Sequence, residues 1–325
     1  MAILIVGGAG YIGSHTAKQV AQAGSEPVVF DSLIYGHDWA VKWGPLVKGD
    51  LADAAAIQAV FKAHRIEAVI HFAAFTAVGE SVVNPRRYYR NNVVNTLNLL
   101  DAMVDHGVRD IVFSSTAAVY GNPIEVPISE DHPRAPVNPY GETKLAVENI
   151  LKWYGGAYGV RFAALRYFNA AGADPDATIG EDHDPETHLI PLAIEAAMGH
   201  RPMLDVYGTD YPTPDGTAIR DYIHVDDLAE AHQRALGVLQ AGTPSLHLNL
   251  GTGRGHSVRE VIDAVAAATG RAVPHREMPR RAGDAPSLVA DARRAFETLG
   301  WRPKYPAIKT IVEHAVRWHE RRPRA

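Results

Sequence analysis

Residues 3–13 read ILIVGGAGYIG. Four branched aliphatic residues run without a break into a turn whose glycines stand at 7, 10 and 13. The apolar run fits a strand buried on both faces, and the helical pattern that follows over 12–23 makes the turn a strand-to-helix junction. Gly7, Gly10 and Gly13 then serve a tight turn, close backbone approach to a pyrophosphate, and close helix–sheet packing, with the helix amino terminus receiving negative charge. Asp31 ends the next strand-like run, PVVF (27–30), 18 residues beyond Gly13. A carboxylate there can take two ribose hydroxyls and repel a 2′-phosphate, so the site expected is for NAD rather than NADP. The competing reading is a structural glycine turn with a surface aspartate.

The same alternation continues. EAVIHF (67–72), DIVF (110–113) and RFAALR (161–166) read as further buried strands, with helices expected over 12–23, 53–64, 86–106 and 140–154. Strands and helices in this order predict an α/β fold with a doubly wound parallel sheet and ligands at the carboxyl ends of its strands. KGD (48–50) follows a third strand and offers Asp50 to an adenine edge, or to a surface turn. HFAA (71–74) ends its strand in small residues that let a backbone come close to the dinucleotide. After residue 170, long loops rich in Gly, Pro and Asp (172–187, 207–218, 279–287) separate shorter helices such as 226–240 and 257–269. The division expected is a nucleotide domain over 1–170 with a returning segment near 220–255, where LHLNLG (246–251) supplies a strand. A smaller, interleaved α/β substrate domain takes up most of 171–325. The closing ERRPRA is expected to be a solvated tail.

Composition excludes several functions. The net charge of −5, with no basic stripe, argues against nucleic acid as a partner. Cysteine is absent, which removes disulfides and thiolate chemistry. Of the 16 histidines none forms an HExxH or comparable spacing, so no metal is expected. EDHDPETH (181–188), the densest acidic cluster, is read as a solvated or substrate-covering loop, with a metal site as the competing reading. No apolar stretch has membrane length and no leader precedes the first strand, so a cytoplasmic protein is expected.

The reacting end lies in two segments. FSSTAAVYG (113–121) ends a strand in Ser114, Ser115 and Thr116, and NPYGETK (138–144) sets Tyr140 and Lys144 one helical turn apart, with Pro139 placed to begin the helix. A lysine and a cationic nicotinamide both favour the phenolate of Tyr140. A tyrosinate can take a hydroxyl proton while hydride leaves the same carbon, with Thr116 hydrogen-bonding that oxygen. The alternative is that both residues only decorate a packing helix.

GGAGYIG, the strand-end hydroxyl triplet and YxxxK together resemble the extended short-chain dehydrogenase/reductases, which carry a Rossmann sheet. Relatives that dehydrate nucleotide hexoses have Asp-Glu after the triplet, and those that decarboxylate uronates usually keep a Glu. Ala117 and Ala118 stand here. An oxidation without a second chemical step suits a 4-epimerase. VIHFAAFTAVGESV, RYFNAAGA, DYPTPDGTAIRDYIHVDDLA and RRAGD resemble the UDP-glucose 4-epimerase family over nearly the whole chain.

That resemblance implies reversible 4-epimerisation of UDP-glucose and UDP-galactose through a 4-keto intermediate, with tightly held NAD. It makes Tyr140 the base, Lys144 its electrostatic partner and nicotinamide-ribose ligand, and Thr116 the hydroxyl donor. On the cofactor it places the turn residues Gly7, Gly10, Tyr11, Ile12 and Gly13, with Asp31, and Asp50 with Leu51. Phe72, Ala73, Ala74, Asn91 and Ser114 also hold NAD, and Tyr167 packs near the nicotinamide. On the UDP-sugar it places Asn169 at the diphosphate or sugar, His188 and Leu189 beside it, and Tyr207 beside the uracil. Arg220 and Arg281 neutralise the diphosphate, each by planar pairing, and Asp284 meets a ribose hydroxyl. Helices 86–106 and 140–154 are the family's usual homodimer surface. Two positions depart from the pattern. Thr76 stands where several epimerases put a lysine near the cofactor phosphates. Leu288 is intermediate between the bulky tyrosine and the small residues that exclude or admit N-acetylated sugars. A pentose or uronate 4-epimerase, a net nucleotide-sugar dehydrogenase or reductase, and an idle NAD-sensing protein are the competing readings.

Overall fold

The computed structural model describes residues 1–281 and 283–322. In chain order the strands are β1 (Ala2–Val6), β2 (Glu26–Asp31), β3 (Leu46–Lys48), β4 (Ile66–His71), β5 (Asp110–Ser114), β6 (Arg161–Tyr167) and β7 (Asn169–Ala171), followed by β8 (Leu204–Tyr207), β9 (Ile219–His224), β10 (Leu246–Leu250), β11 (Gly255–Ser257), β12 (His275–Met278) and β13 (Ser287–Leu288). The helices are α1 (Tyr11–Gln22), α2 (Ala54–Ala63), α3 (Val78–Val83), α4 (Pro85–Tyr88), α5 (Asn95–Asp105) and α6 (Pro139–Tyr158), then α7 (Leu189–Met198), α8 (Val225–Gln240), α9 (Val258–Thr269), α10 (Arg293–Leu299) and α11 (Ile308–Arg321).

Alternate side chains of β1 explain why the sheet is covered twice. Leu4 and Val6 join one apolar cluster with residues of α2, α5 and α6, such as Val60, Leu100 and Val147. Ile3 and Ile5 join the cluster on the other face with Val20 of α1 and Leu228, Ala235 and Leu239 of α8. The result is a seven-stranded parallel sheet of order β10-β6-β5-β4-β1-β2-β3. The strand order reverses between β1 and β4, and a crevice opens at their carboxyl ends, the place where such folds bind ligands.

The remaining strands form a four-stranded sheet around β9, paired with β7, β11 and β13, and a two-stranded ladder of β8 with β12. Helices α7, α9 and α11 pack against these in a third cluster that includes Ile194, Val265 and Val312. The chain therefore has the amino-terminal parallel sheet and the additional carboxyl-terminal α/β unit that its pattern predicts. Residues beyond the expected returning segment also reach the first sheet: Ala295 and Leu299 of α10 and the fully buried Trp301 lie in the same cluster as α8.

Two expectations need correction. The helix read over 86–106 is three pieces, because α4 passes into a wide π turn (Tyr89–Val94) before α5 begins. The widened turn aims Asn92 inward, where its Oδ1 accepts from Phe75 N (2.9 Å) and its Nδ2 donates to Phe75 O (3.0 Å) and to Thr143 Oγ1 (3.1 Å). One buried amide thus satisfies the backbone of the loop that follows β4. ERRPRA is not wholly a tail either. Helix α11 runs to Arg321, and Arg322 pairs with Asp182 (3.0 Å) and Glu195 (3.2 Å). The last three residues, 323–325, lie outside the described residues. No described helix is long and apolar enough to cross a membrane.

Candidate active site

The glycine turn sits between β1 and α1 as its spacing implies. Gly7 adopts φ +80°, and a Cβ there would meet Ala73 N at 2.6 Å. The close neighbour is the loop after β4, where the N–H groups of Phe72 and Ala73 both donate to Val6 O. A Cβ on Gly13 would meet Gly7 O at 2.2 Å, whereas one on Gly10 would meet only Gly7 O, at 3.4 Å. One side of the turn is thus open. The first turn of α1 has no side-chain cap and no acidic residue, so its N–H groups are available to an anion. Tyr11 ties the turn to the second half of the chain through its hydroxyl, which donates to Gly172 O (2.7 Å), while Ile12 packs on the sheet.

Asp31 accepts from Ala9 N (3.0 Å) through one oxygen and from Leu33 N (2.8 Å) through the other. Burial raises its carboxyl above the ordinary value, against the lowering effect of those two N–H groups. Each oxygen retains a lone pair for a ribose hydroxyl. The open turn, the uncapped helix and this carboxylate fit a dinucleotide. Farther along, Asp50 Oδ1 accepts from Ala52 N (2.8 Å), and Leu51 is buried in the first core. A cleft of about 530 Å³ is lined by Ala52, next to the Asp50–Leu51 turn, and by Phe75, Asn91 and Val94. Asn91 itself donates to Asn92 Oδ1 (3.0 Å). Ala74 is half-buried, and Thr76 is exposed on the same loop.

The reacting residues converge at the carboxyl end of β5. Asn138 caps α6 by accepting from Gly141 N (2.9 Å), and Pro139 occupies the first turn, which sets Tyr140 and Lys144 on the face toward β5. Lys144 Nζ donates to Ser114 O (2.7 Å) and lies 4.9 Å from the centre of the Phe113 ring. Ser114 Oγ meets the Tyr167 hydroxyl at 2.5 Å. Thr116 caps a 3₁₀ turn over Ala117–Tyr120, its Oγ1 accepting from Ala118 N (3.2 Å).

Burial pushes the Tyr140 phenol up to about 12, with hydrogen bonding to Thr116 acting the other way. Burial likewise pushes Lys144 down to about 7, against the charge of Glu148. The sequence-based expectation that Lys144 favours a phenolate is therefore not met by the polypeptide alone. The ammonium is held on Ser114 O, Lys144 is buried and Tyr140 half-buried, and the water removed from each favours its neutral form. Tyr167 is also raised by burial, and then by Tyr140 beside it.

A buried chain of hydrogen bonds behind this centre was not read from the sequence. Ser115 Oγ donates to Glu148 Oε1 (2.6 Å), and Arg166 grips both Glu148 oxygens (2.9 and 2.6 Å). Arg166 also donates to the Tyr120 hydroxyl (2.9 Å), which donates to Asn249 Oδ1 (2.6 Å). Burial works to raise the Glu148 carboxyl, but Arg166, His247 and Ser115 together hold the group below its usual value. The one available signal was Glu148, four residues after Lys144 on the same face of α6. The network links α6, β5, β6 and β10 around the 3₁₀ turn.

The residues expected on the substrate side fall in four groups. Arg220 on β9 and Leu288 on β13 are register partners, and Arg220 Nη2 lies 3.7 Å from Asp284. Leu288 packs with Val119, Tyr120 and Ala117, directly against the turn that carries Thr116. Arg281 stacks over the Tyr207 ring at 3.9 Å. Asn169 donates to Asp221 O (3.2 Å) beside the end of β6. His188 is the N-cap residue of α7 and Leu189 its first residue, packed on the third core. EDHDPETH is not simply solvated, since Glu181 is 4% exposed and its carbonyl accepts from Trp318 Nε1 (2.8 Å).

The model of the NAD dependent epimerase/dehydratase family matches residues 3–251. The chain belongs to that family. Among members of the NAD-dependent epimerase/dehydratase family, it is 50% identical to a UDP-glucose 4-epimerase of Halalkalibacterium halodurans over 323 residues, covering 99% of this chain and 97% of the relative. The solved structure of UDP-glucose 4-epimerase from Brucella ovis in complex with NAD superposes with a TM-score of 0.95 at 52% identity, covering 97% of each chain. The UDP-Glc/GlcNAc 4-epimerase of Campylobacter jejuni superposes with a TM-score of 0.86 at 42% identity, covering 98% of this chain and 99% of that one.

Proposed function

We infer that the chain interconverts UDP-glucose and UDP-galactose by reversible 4-epimerisation through a 4-keto intermediate, with NAD as its cofactor. The observation that carries this reading is the turn beside Tyr140. It holds one hydroxyl, Thr116, and then Ala117 and Ala118, which leave no acid pair to eliminate water from a keto sugar. A proton acceptor without an eliminating acid supports oxidation and return and nothing further.

Gly7, Gly10, Tyr11, Ile12 and Gly13 would hold the pyrophosphate at the amino end of α1, and Asp31 the adenine ribose. Asp50, Leu51 and Asn91 would line the adenine end, with Phe72, Ala73, Ala74 and Thr76 along the dinucleotide. Ser114, Lys144 and Tyr167 would enclose the nicotinamide end. When bound, NAD supplies the acceptor and donor of the hydride exchanged with carbon 4, and its positive ring offsets the burial that keeps Tyr140 protonated.

Tyr140 takes the 4-hydroxyl proton and gives it back, while Thr116 orients that oxygen. Arg220 and Arg281 neutralise the diphosphate, Tyr207 flanks the uracil, and Asp284 takes a ribose hydroxyl. Asn169, His188 and Leu189 border the sugar end. Apart from His188, the hexose meets alanines and Leu288, which supports a sugar held by its UDP end and free to present either face. The protein acts as a cytoplasmic homodimer in this proposal. Exposed Tyr89 and Val94 in the π turn, and Trp153 (74% exposed) and Tyr158 on α6, support a partner surface on those helices.

Incubation of the purified chain with UDP-galactose, without added NAD, tests the reading. UDP-glucose is the expected product. Stoichiometric NADH would mark a net dehydrogenase instead, and a 4-keto-6-deoxy sugar a dehydratase.

A further inference from the structure

Residues 181–188 contain two Glu-x-His pairs, Glu181 with His183 and Glu186 with His188. Their fold brings one donor atom of each within 4.8 Å of all the others. His188 Nδ1 lies 2.8 Å from Glu181 Oε1 and 2.9 Å from Glu186 Oε1. His183 Nδ1 lies 3.1 Å from Glu181 Oε1 and 3.7 Å from Glu186 Oε2. Each imidazole therefore faces both carboxylates with the same nitrogen. One N–H proton each serves the hydrogen bonds of His183 to Glu181 and of His188 to Glu186, and leaves the other two contacts as close approaches of like-placed donors. A single cation at the centre satisfies them together.

We propose that Glu181, His183, Glu186 and His188 bind one divalent first-row metal ion of the Zn²⁺ type. Two imidazoles and two carboxylates are an ordinary donor set for such an ion, and two carboxylates balance its charge. Four donors about 2.1 Å from a tetrahedral centre stand roughly 3.4 Å from one another, and the observed separations bracket that value. The frame is already built. Glu181 O accepts from Trp318 Nε1 (2.8 Å), His37 Nε2 meets Asp182 O (2.8 Å), and Arg322 pairs with Asp182 (3.0 Å). Thr187 N and His188 N both donate to Glu186 Oε1 (2.6 and 2.8 Å), which orients that carboxylate. The edge-on Tyr11 ring contacts His183, with centroids 6.1 Å apart, so the ion would join the first turn of α1 to the start of α7. E-x-H-x-x-E-x-H follows neither helical nor familiar metal-ligand intervals, so the sequence favours a loop here over a metal site.

The test uses the full chain, stripped with a chelator and freed of it, then titrated with Co²⁺ by visible absorption and with Zn²⁺ by calorimetry. One equivalent is expected, with the intense d–d bands of low-coordinate Co²⁺, and His183→Gln and Glu186→Gln should each weaken Zn²⁺ binding by at least ~10-fold. His200→Ala, an exposed histidine outside the cluster, should bind as the wild type does. Absence of uptake by the wild type would overturn the proposal and leave the two carboxylates neutralised by protonated imidazoles. Weak bands of six-coordinate Co²⁺, or equal binding by correctly folded His183→Gln, would overturn it as well. If the variants misfold, the wild-type Co²⁺ spectrum decides alone. None of these readouts depends on the epimerase reading.

Discussion

At the glycine turn, the groups offered to a ligand are mostly backbone: the N–H groups of α1, the open face of Gly10, and a loop drawn against Gly7 by two bonds to Val6 O. On the other side of the crevice the offer is made by side chains from separate strands: Arg220 beside Asp284, Arg281 over Tyr207, and Leu288 against the 3₁₀ turn. The first construction tolerates almost no added atom at Gly7 or Gly13. The second can exchange one side chain for another and change what it admits. In the proposed reading the first region seats the dinucleotide and the second the sugar nucleotide, a division that suits a sugar that must turn while the dinucleotide stays.

The sharpest way to break that contrast is Gly13→Ala. Its Cβ would lie 2.2 Å from Gly7 O and 2.7 Å from Gly8 Cα, both backbone atoms that cannot swing aside. A loss of about 3 kcal/mol or more is expected, with protein that no longer releases a dinucleotide on denaturation. Urea melts and the ultraviolet spectrum of the released fraction check both. An unchanged melt with full dinucleotide content would mean that the turn is not rigid.

Tyr140→Phe stands between the two seats. It keeps the ring and removes the proton acceptor, so turnover should fall by at least ~100-fold while UDP-sugar binding persists. Single-turnover kinetics and substrate calorimetry separate the two effects, and retained turnover would assign the proton to another group.

Lys144 tests how dry the shared wall is. Its folded value is about 7 and its ordinary value 10.5. Between those values the unfolded chain holds a proton that the folded chain lacks, so stability attributable to Lys144 rises with pH across the window. Relative to Lys144→Met, the wild type should gain up to about 1.4 kcal/mol per pH unit from 7 toward 10, as read by urea melts at several pH values. A flat difference would show a hydrated ammonium.

The smallest effect is expected on the adjustable side. Leu288→Ser should raise the ratio of UDP-N-acetylglucosamine to UDP-glucose specificity constants by a modest factor, since a few methyl-sized groups are worth about 1–3 kcal/mol. An unchanged ratio would move the gate elsewhere.

Much of this was legible along the chain because the nucleotide half is built from neighbours in sequence. A strand, a three-glycine turn and a helix are local patterns, and so is a tyrosine one turn before a lysine behind a proline and a cap. Tyr207, Arg220, Arg281 and Asp284 could be singled out only through the family's motifs, because a lone arginine in a loop looks the same whether it meets a phosphate or water. Other features had little or no local signature. Glu148 and Arg166 are ordinary charges on a helix and a strand until packing buries them together, where desolvation forces them to pair. Asn92 gained its role from a π turn that helical periodicity does not announce. The depth of Tyr140 and Lys144, and hence the direction of their pKa shifts, came from α6 lying on β5 and β6. Periodicity decides which faces are apolar, and so the order of the layers. The protonation and reach of a polar side chain depend on what the finished fold brings against it, and that is set by residues far away in sequence.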